Sequence, residues 1–152
     1  MIQRVQTIFL LASTSLMAIL FFYPFAEISA GQEILLFKYN GFFRLVDGIE
    51  EQVVSTISTT VILSVILLLN IVTILLYKKR KLQMRFTVYN LLLMIGTVGS
   101  LYYLMMSSFE QTPSIEYKIT LIFPLIAAVF NYMAFRNIRK DELLVRAVDR
   151  IR

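Results

Sequence analysis

Asn70, Asn90 and Asn131 are the residues of this 152-residue chain best placed to do chemistry. Each lies inside a long apolar run, about one and a half turns from the run's basic end. On helices rising about 1.5 Å per residue they would share one depth and could meet. A side-chain amide offers two donors and an accepting oxygen. Such a cluster reads either as a ligand or ion site or as a hydrogen-bonded clamp that fixes helix register, and the clamp is the simpler reading. Small residues at helical spacing accompany the asparagines. Thr56, Thr60 and Ser64 follow one another at i+4 in the second run. Gly96 and Ser100 do so in the third, with Gly99 between them, and Ala127, Ala128 and Asn131 lie below Pro124 in the fourth. Helices in lipid associate through close packing of small residues and through interhelical hydrogen bonds, so these stripes read as packing seams.

The missing residue types exclude more than the present ones suggest. Histidine, the commonest general base and metal ligand, is absent, and so is cysteine. No Asp, Glu, Lys or Arg lies well within any apolar run, although proton relays, coupled transport and voltage sensing depend on such intramembrane groups. There is no glycine-rich phosphate loop and no pair of intramembrane carboxylates. The expectation is a protein that is not an enzyme and has no cofactor and no metal site. Glu50-Glu51 and Asp141-Glu142 read as solvated charges rather than acid–base partners.

The elements that must position these residues are the apolar runs themselves, at roughly 5–25, 53–77, 86–109 and 119–135. A bilayer core needs about 20 apolar residues of helix to cross it. Three runs reach that length and the fourth comes close. The composition agrees, with 58% hydrophobic and 16% charged residues and a mean hydropathy of +0.73, against about 25% charged residues in soluble domains. Met1-Ile-Gln-Arg4 followed by an apolar stretch resembles a signal peptide, but the stretch exceeds the usual h-region of about 7–15 residues and reads as an uncleaved first span. The expected fold is an all-α membrane protein, a single domain over 1–152. It is a four-transmembrane-helix bundle with a small extracytoplasmic β-hairpin (33–47) between helices 1 and 2 and a cytoplasmic C-terminal amphipathic helix (136–152).

The basic residues are sorted by side. Arg4, the turn Lys78-Lys79-Arg80-Lys81 with Arg85, and Arg136, Arg139, Lys140, Arg146, Arg150 and Arg152 make twelve. Lys38, Arg44 and Lys118 make three on the other side. The positive-inside rule then places both termini and the basic turn in the cytoplasm of a multi-pass membrane protein. The net charge of +5 therefore reflects topology and attraction to anionic lipid headgroups, not nucleic-acid binding.

In the outer loop, Asn40-Gly41 signals a two-residue type I′ hairpin turn, with Tyr39 facing Phe42, Lys38 facing Phe43 and Phe37 facing Arg44. So apolar a ribbon must cover the helix ends or dock a partner. In the tail, Leu144, Val148 and Ile151 fall on one narrow helical face, flanked by Arg139 and Lys140. Glu142 precedes Arg146 by four residues, the favourable order for a helical ion pair. That face can rest on headgroups or on a partner.

The opening Met1-Ile-Gln-Arg-Val-Gln-Thr-Ile, the turn Lys81-Leu-Gln-Met-Arg85, the run Asn90-Leu-Leu-Leu, and above all the tail from Ile138 to Arg152 resemble a known family. It is the small four-span inner-membrane proteins of Bacteroidota classed as domain of unknown function 4293, and the resemblance spans essentially the whole chain. It implies a Gram-negative cytoplasmic-membrane location and no catalytic residues. A β-rich first outer loop and a short second one are also similar to the plan of claudin-like four-span proteins, without their outer-loop Trp and Cys. The expected function is a non-catalytic accessory or scaffold subunit of a larger inner-membrane complex, with protein secretion or envelope biogenesis as a fitting host. Its partners are lipid bilayer, anionic headgroups and other integral membrane proteins. The alternative is a small transporter, channel or lipid-binding protein built on the polar seam.

Overall fold

Buried positions recur at alternating steps of three and four residues in each long run, the spacing that keeps one narrow seam facing its neighbours in a bundle. They are Gln6, Leu10, Ser13, Met17 and Leu20; Thr59, Leu63, Ile66, Asn70 and Thr73; Gln83, Thr87, Asn90, Met94, Thr97 and Leu101; and Ala127, Asn131, Ala134, Ile138 and Asp141. A computed structural model describes residues 3–30, 33–46, 49–107 and 114–149. Its helices are α1 (Gln3–Ile19), α2 (Ile57–Leu75), α3 (Arg80–Ser107) and α4 (Phe123–Asp149). Both α1 and α3 pack against α2 and α4, which closes the bundle.

The seam mixes polar with apolar side chains, and the outside is apolar. Ile8 and Leu11 on α1, Val61, Val65, Leu68 and Leu75 on α2, Leu92 and Ile95 on α3, and Leu125 and Val129 on α4 are all exposed. A water-soluble monomer rarely shows contiguous apolar surface of more than a few hundred Å². Three helical segments are long and apolar enough to cross a membrane: Ile57–Leu75, Arg80–Ser107 and Ile119–Val145. The apolar stretch of α1, Val5–Ile19, is shorter.

The expectation of an all-α bundle with a small hairpin is overturned. A five-stranded antiparallel sheet caps one end of the helices, in the order β4-β3-β2-β1-β5. Its strands are β1 (Ala26–Ala30), β2 (Glu33–Lys38), β3 (Gly41–Val46), β4 (Ile49–Ser55) and β5 (Ser114–Tyr117). Only β2 and β3 correspond to the expected ribbon. β1 follows directly on the first apolar run: the helix ends at Ile19 and the chain turns before Pro24, a residue that cannot supply an amide hydrogen, so the end of that run is turn rather than helix. β4 carries Glu50, Glu51 and Gln52 and is exposed along its length, so it shows no alternating pattern. β5 comes from the second outer loop and pairs with β1, Ile28 opposite Ile115.

The turn also differs. Lys38 pairs with Gly41 and Phe37 with Phe42, so Tyr39-Asn40 forms the turn and Gly41 opens β3. The glycine is required by a close approach: a Cβ on Gly41 would lie 2.2 Å from the Val54 carbonyl oxygen, at a φ of +156°. With this register Phe37 stacks on Phe42 at 4.4 Å between centroids, and Phe25 meets Phe37 edge-on at 5.3 Å. Ala26, Ile28, Leu35, Phe37 and Phe42 form the inner face of the sheet and share one core with Met17, Leu20, Leu101 and Met105. Hydrogen bonds secure the cap. Thr60 Oγ1 donates to the Tyr39 carbonyl at 3.0 Å, Thr120 Oγ1 donates to the Pro24 carbonyl, and the Thr56 amide donates to the Asn40 carbonyl at 3.0 Å.

The expected tail helix is the continuation of α4. Without Gly or Pro to stop it, the helix runs unbroken from Phe123 to Asp149, and Ile138 and Asp141 remain buried well past the apolar run.

Candidate functional site

Two places gather polar side chains: the seam inside the bundle and a cleft at its basic end. In the seam, amides reach between helices. Asn90 Nδ2 donates to Asn70 Oδ1 at 2.6 Å, and Gln83 Nε2 donates to the Thr73 carbonyl at 3.1 Å, joining α3 to α2 twice. Ser13 Oγ donates to the Ala127 carbonyl at 3.1 Å, and Gln6 Nε2 donates to Asp141 Oδ2 at 2.6 Å, joining α1 to α4 twice. Met94 links the two halves, with Asn131 Nδ2 at 3.7 Å and Ser13 Oγ at 3.9 Å from its sulfur.

Asn70, Asn90 and Asn131 are all fully buried. The first two pair directly. Asn131 meets Met94, one turn along α3 from Asn90, rather than the pair itself. Three of their amide atoms, Asn70 Nδ2, Asn90 Oδ1 and Asn131 Oδ1, have no partner among the described residues.

The hydroxyl stripe does something different from joining helices. Ser64 Oγ donates to the Thr60 carbonyl within α2, as Thr73, Thr87 and Thr97 do to the residue four before each. Such back-bonding satisfies the hydroxyl within its own helix. Thr56 is buried just before α2, its hydroxyl without a partner among the described residues. The seam of α2 instead follows Thr59, Leu63, Ile66, Asn70 and Thr73. Gly96 and Gly99 point outward, with nothing within 4 Å of where a Cβ would stand, and Ser100 is half-buried beside them. The expected seam through Gly96 is therefore corrected: the inward face of α3 carries Met94, Thr97 and Leu101.

At the basic end, Lys79, Lys81 and Arg85 are exposed and Arg80 is half-buried. Arg80 Nη1 donates to the Asp141 carbonyl at 3.4 Å. Asp141 is only 7% exposed and is held by Gln6, so the expectation of a solvated Asp141-Glu142 pair fails for Asp141. A cleft of about 640 Å³ opens between this turn and α4, lined by Tyr77, Lys79, Arg80, Lys81, Leu82, Glu142 and Val145. Arg139, Lys140 and Leu144 are exposed on α4. The side chains of Lys78 and Val148, and all of Ile151, lie outside the described residues. Asn40 and Gly41 sit at the sheet tip nearest β4, where Gln52 Nε2 donates to the Asn40 carbonyl at 3.0 Å.

The profile of a protein family described as "Domain of unknown function (DUF4293)" matches residues 2–151. The chain belongs to this family. No curated protein matches it.

The residues that the asparagine and hydroxyl stripes did not point to are Gln6, Ser13, Thr59, Gln83, Met94 and Asp141. Their signal was the three-four spacing of non-apolar residues, most plainly Gln83-Thr87-Asn90 and then Thr97. Asp141 falls in step with Asn131, Ala134 and Ile138, but its charge suggested the solvent. Among the described residues no group of His, Cys, Asp and Glu is arranged to hold a metal ion.

Proposed function

We propose that this member of the family is a non-catalytic scaffold or accessory subunit of a larger assembly in a cytoplasmic membrane. The bundle crosses the bilayer four times, with the basic end and both termini in the cytoplasm. The exposed Val5, Ile8 and Leu11 support including α1 among the spans, since they continue the apolar belt of the other helices. The sorted charges support the orientation.

The observation that carries the scaffold reading is the open edge of the sheet. β4 pairs with β3 on one side and with no strand on the other among the described residues, and all seven of its residues are exposed. Ile49, Val53 and Val54 add apolar side chains to that edge. An unpaired row of backbone donors and acceptors is a template for another chain, and strand addition is a common mode of protein recognition. Native mass spectrometry after mild-detergent extraction tests this. The expected result is an assembly heavier than the monomer, which Ile49→Lys/Val53→Lys reduces to monomer without lowering the melting temperature. A clean wild-type monomer contradicts the reading.

A second reading, a small-solute carrier, draws on the unpartnered amide atoms of Asn70, Asn90 and Asn131. The cleft described above opens elsewhere, and its lining includes none of Thr56, Thr60, Ser64 or the three asparagines. Solute-dependent protection of the asparagine layer from hydrogen exchange, absent in Asn131→Leu, would favour the carrier.

A further inference from the structure

We propose that the cleft at the basic end binds the phosphodiester headgroup of an anionic glycerophospholipid. This rests on the membrane-spanning part of the reading above but not on the scaffold role.

The cleft, at about 640 Å³, falls within the size range of small-molecule sites. Its walls bring Lys79, Arg80 and Lys81 together against one carboxylate, Glu142. Lys79 and Lys81 form no ion pair among the described residues. Arg80 is anchored: its guanidinium donates to the Asp141 carbonyl, and the Asp141 carboxylate is in turn held by Gln6. One donor of five is used in that anchor, and a fixed fork suits a phosphate oxygen pair. The cleft also takes in the first turn of α3, whose helix dipole has the sign that favours an anion and which carries no acidic residue.

Position and apolar lining select lipid over a free anion. Tyr77, Leu82 and Val145 supply apolar surface within the cleft. Leu75, two residues before Tyr77, is exposed at the end of the apolar belt on α2. The cleft therefore sits where the belt stops and the cations begin, at the level of the phosphate layer. A phosphate here would have its glycerol against the apolar wall and its acyl chains along α2. Basic pockets at the cytoplasmic ends of spans recognise anionic headgroups in this way.

The test uses the full chain in phosphatidylcholine nanodiscs containing a minority of phosphatidylglycerol, with native mass spectrometry of the released protein. The expected result is one retained phosphatidylglycerol per chain. Lys79→Gln/Lys81→Gln should weaken retention roughly thirty-fold. Arg139→Gln/Lys140→Gln removes the same charge from the same end, outside the cleft, and should change it less than about threefold. Glu142→Gln should strengthen it. Equal losses in the two double variants would show diffuse surface attraction and overturn the site. Displacement of the lipid by inorganic phosphate would overturn the lipid assignment. Failure of the wild-type chain to insert into nanodiscs would overturn the membrane reading, whereas an inserted chain that retains no lipid overturns the cleft alone.

Discussion

Replacing Asn90 with leucine should cost more than its partner bond is worth. Asn90 Nδ2 donates to Asn70 Oδ1 at 2.6 Å, with both side chains fully buried between α2 and α3. In membranes such a bond contributes about 0.6–2 kcal/mol, because the unfolded helices also find partners in lipid. Asn90→Leu leaves the Asn70 amide wholly unpaired, since its Nδ2 already has no partner among the described residues. Stranding a buried amide costs about 1–3 kcal/mol. Asn70→Leu strands Asn90 in the same way. In Asn70→Leu/Asn90→Leu no amide of the pair remains, so the double variant should be destabilised by about 1 kcal/mol less than the sum of the singles. Reversible unfolding in mixed micelles, followed by circular dichroism, measures all three differences. Additivity within about 0.3 kcal/mol would show that the two amides do not interact and would refute the clamp.

Other consequences follow from particular contacts. Gly96→Leu should be neutral or stabilising by up to about 1 kcal/mol, because the new side chain meets nothing within 4 Å and leucine is the better helix former; a loss of stability would restore Gly96 to a packing seam. Gly41→Ala should lower the melting temperature and open the sheet to proteolysis, since its Cβ would collide with the Val54 carbonyl; an unchanged melt would contradict the β3–β4 approach. Asp141→Leu removes the acceptor of Gln6 and should cost about 1–3 kcal/mol, while Glu142→Gln on the cleft wall should change stability by less than about 0.5 kcal/mol. The same unfolding assay separates them.

The helices were legible because long apolar runs call for helix, and each run is bordered at one end or the other by Lys or Arg. The sheet was only half legible. Phe37 and Phe42 mark an apolar ribbon, but Ala26–Ala30 alternates Glu27 and Ser29 with small or apolar residues over only five positions, too short a stretch to stand out from the loop after Pro24. Strand β4 fails for another reason: an exposed edge strand has no buried face, so no alternation is written into Ile49–Ser55. The hairpin register was missed because Asn40-Gly41 satisfies a local turn rule, while the tertiary approach of Val54 decides where Gly41 is needed. In the seam, Asn70, Asn90 and Asn131 could be found as polar residues in apolar runs. Which small residues join them could not, because Ser64, Thr73, Thr87 and Thr97 satisfy themselves on the preceding turn whereas Ser13 reaches across to Ala127, and residue type does not tell the two apart. Gln6 and Asp141 were hidden by lying in segments whose charge and polarity fit solvent equally well.

The central claim is that an apolar-surfaced bundle spans a membrane with its sheet on one side and its basic end on the other. The absence of cysteine makes single-cysteine labelling in intact cells a clean test. A membrane-impermeant maleimide should label Glu51→Cys on β4 from outside the cytoplasmic membrane, Lys140→Cys only after that membrane is opened, and Leu92→Cys in neither case. Labelling of Glu51→Cys and Lys140→Cys from the same side, or ready labelling of Leu92→Cys, would contradict the account.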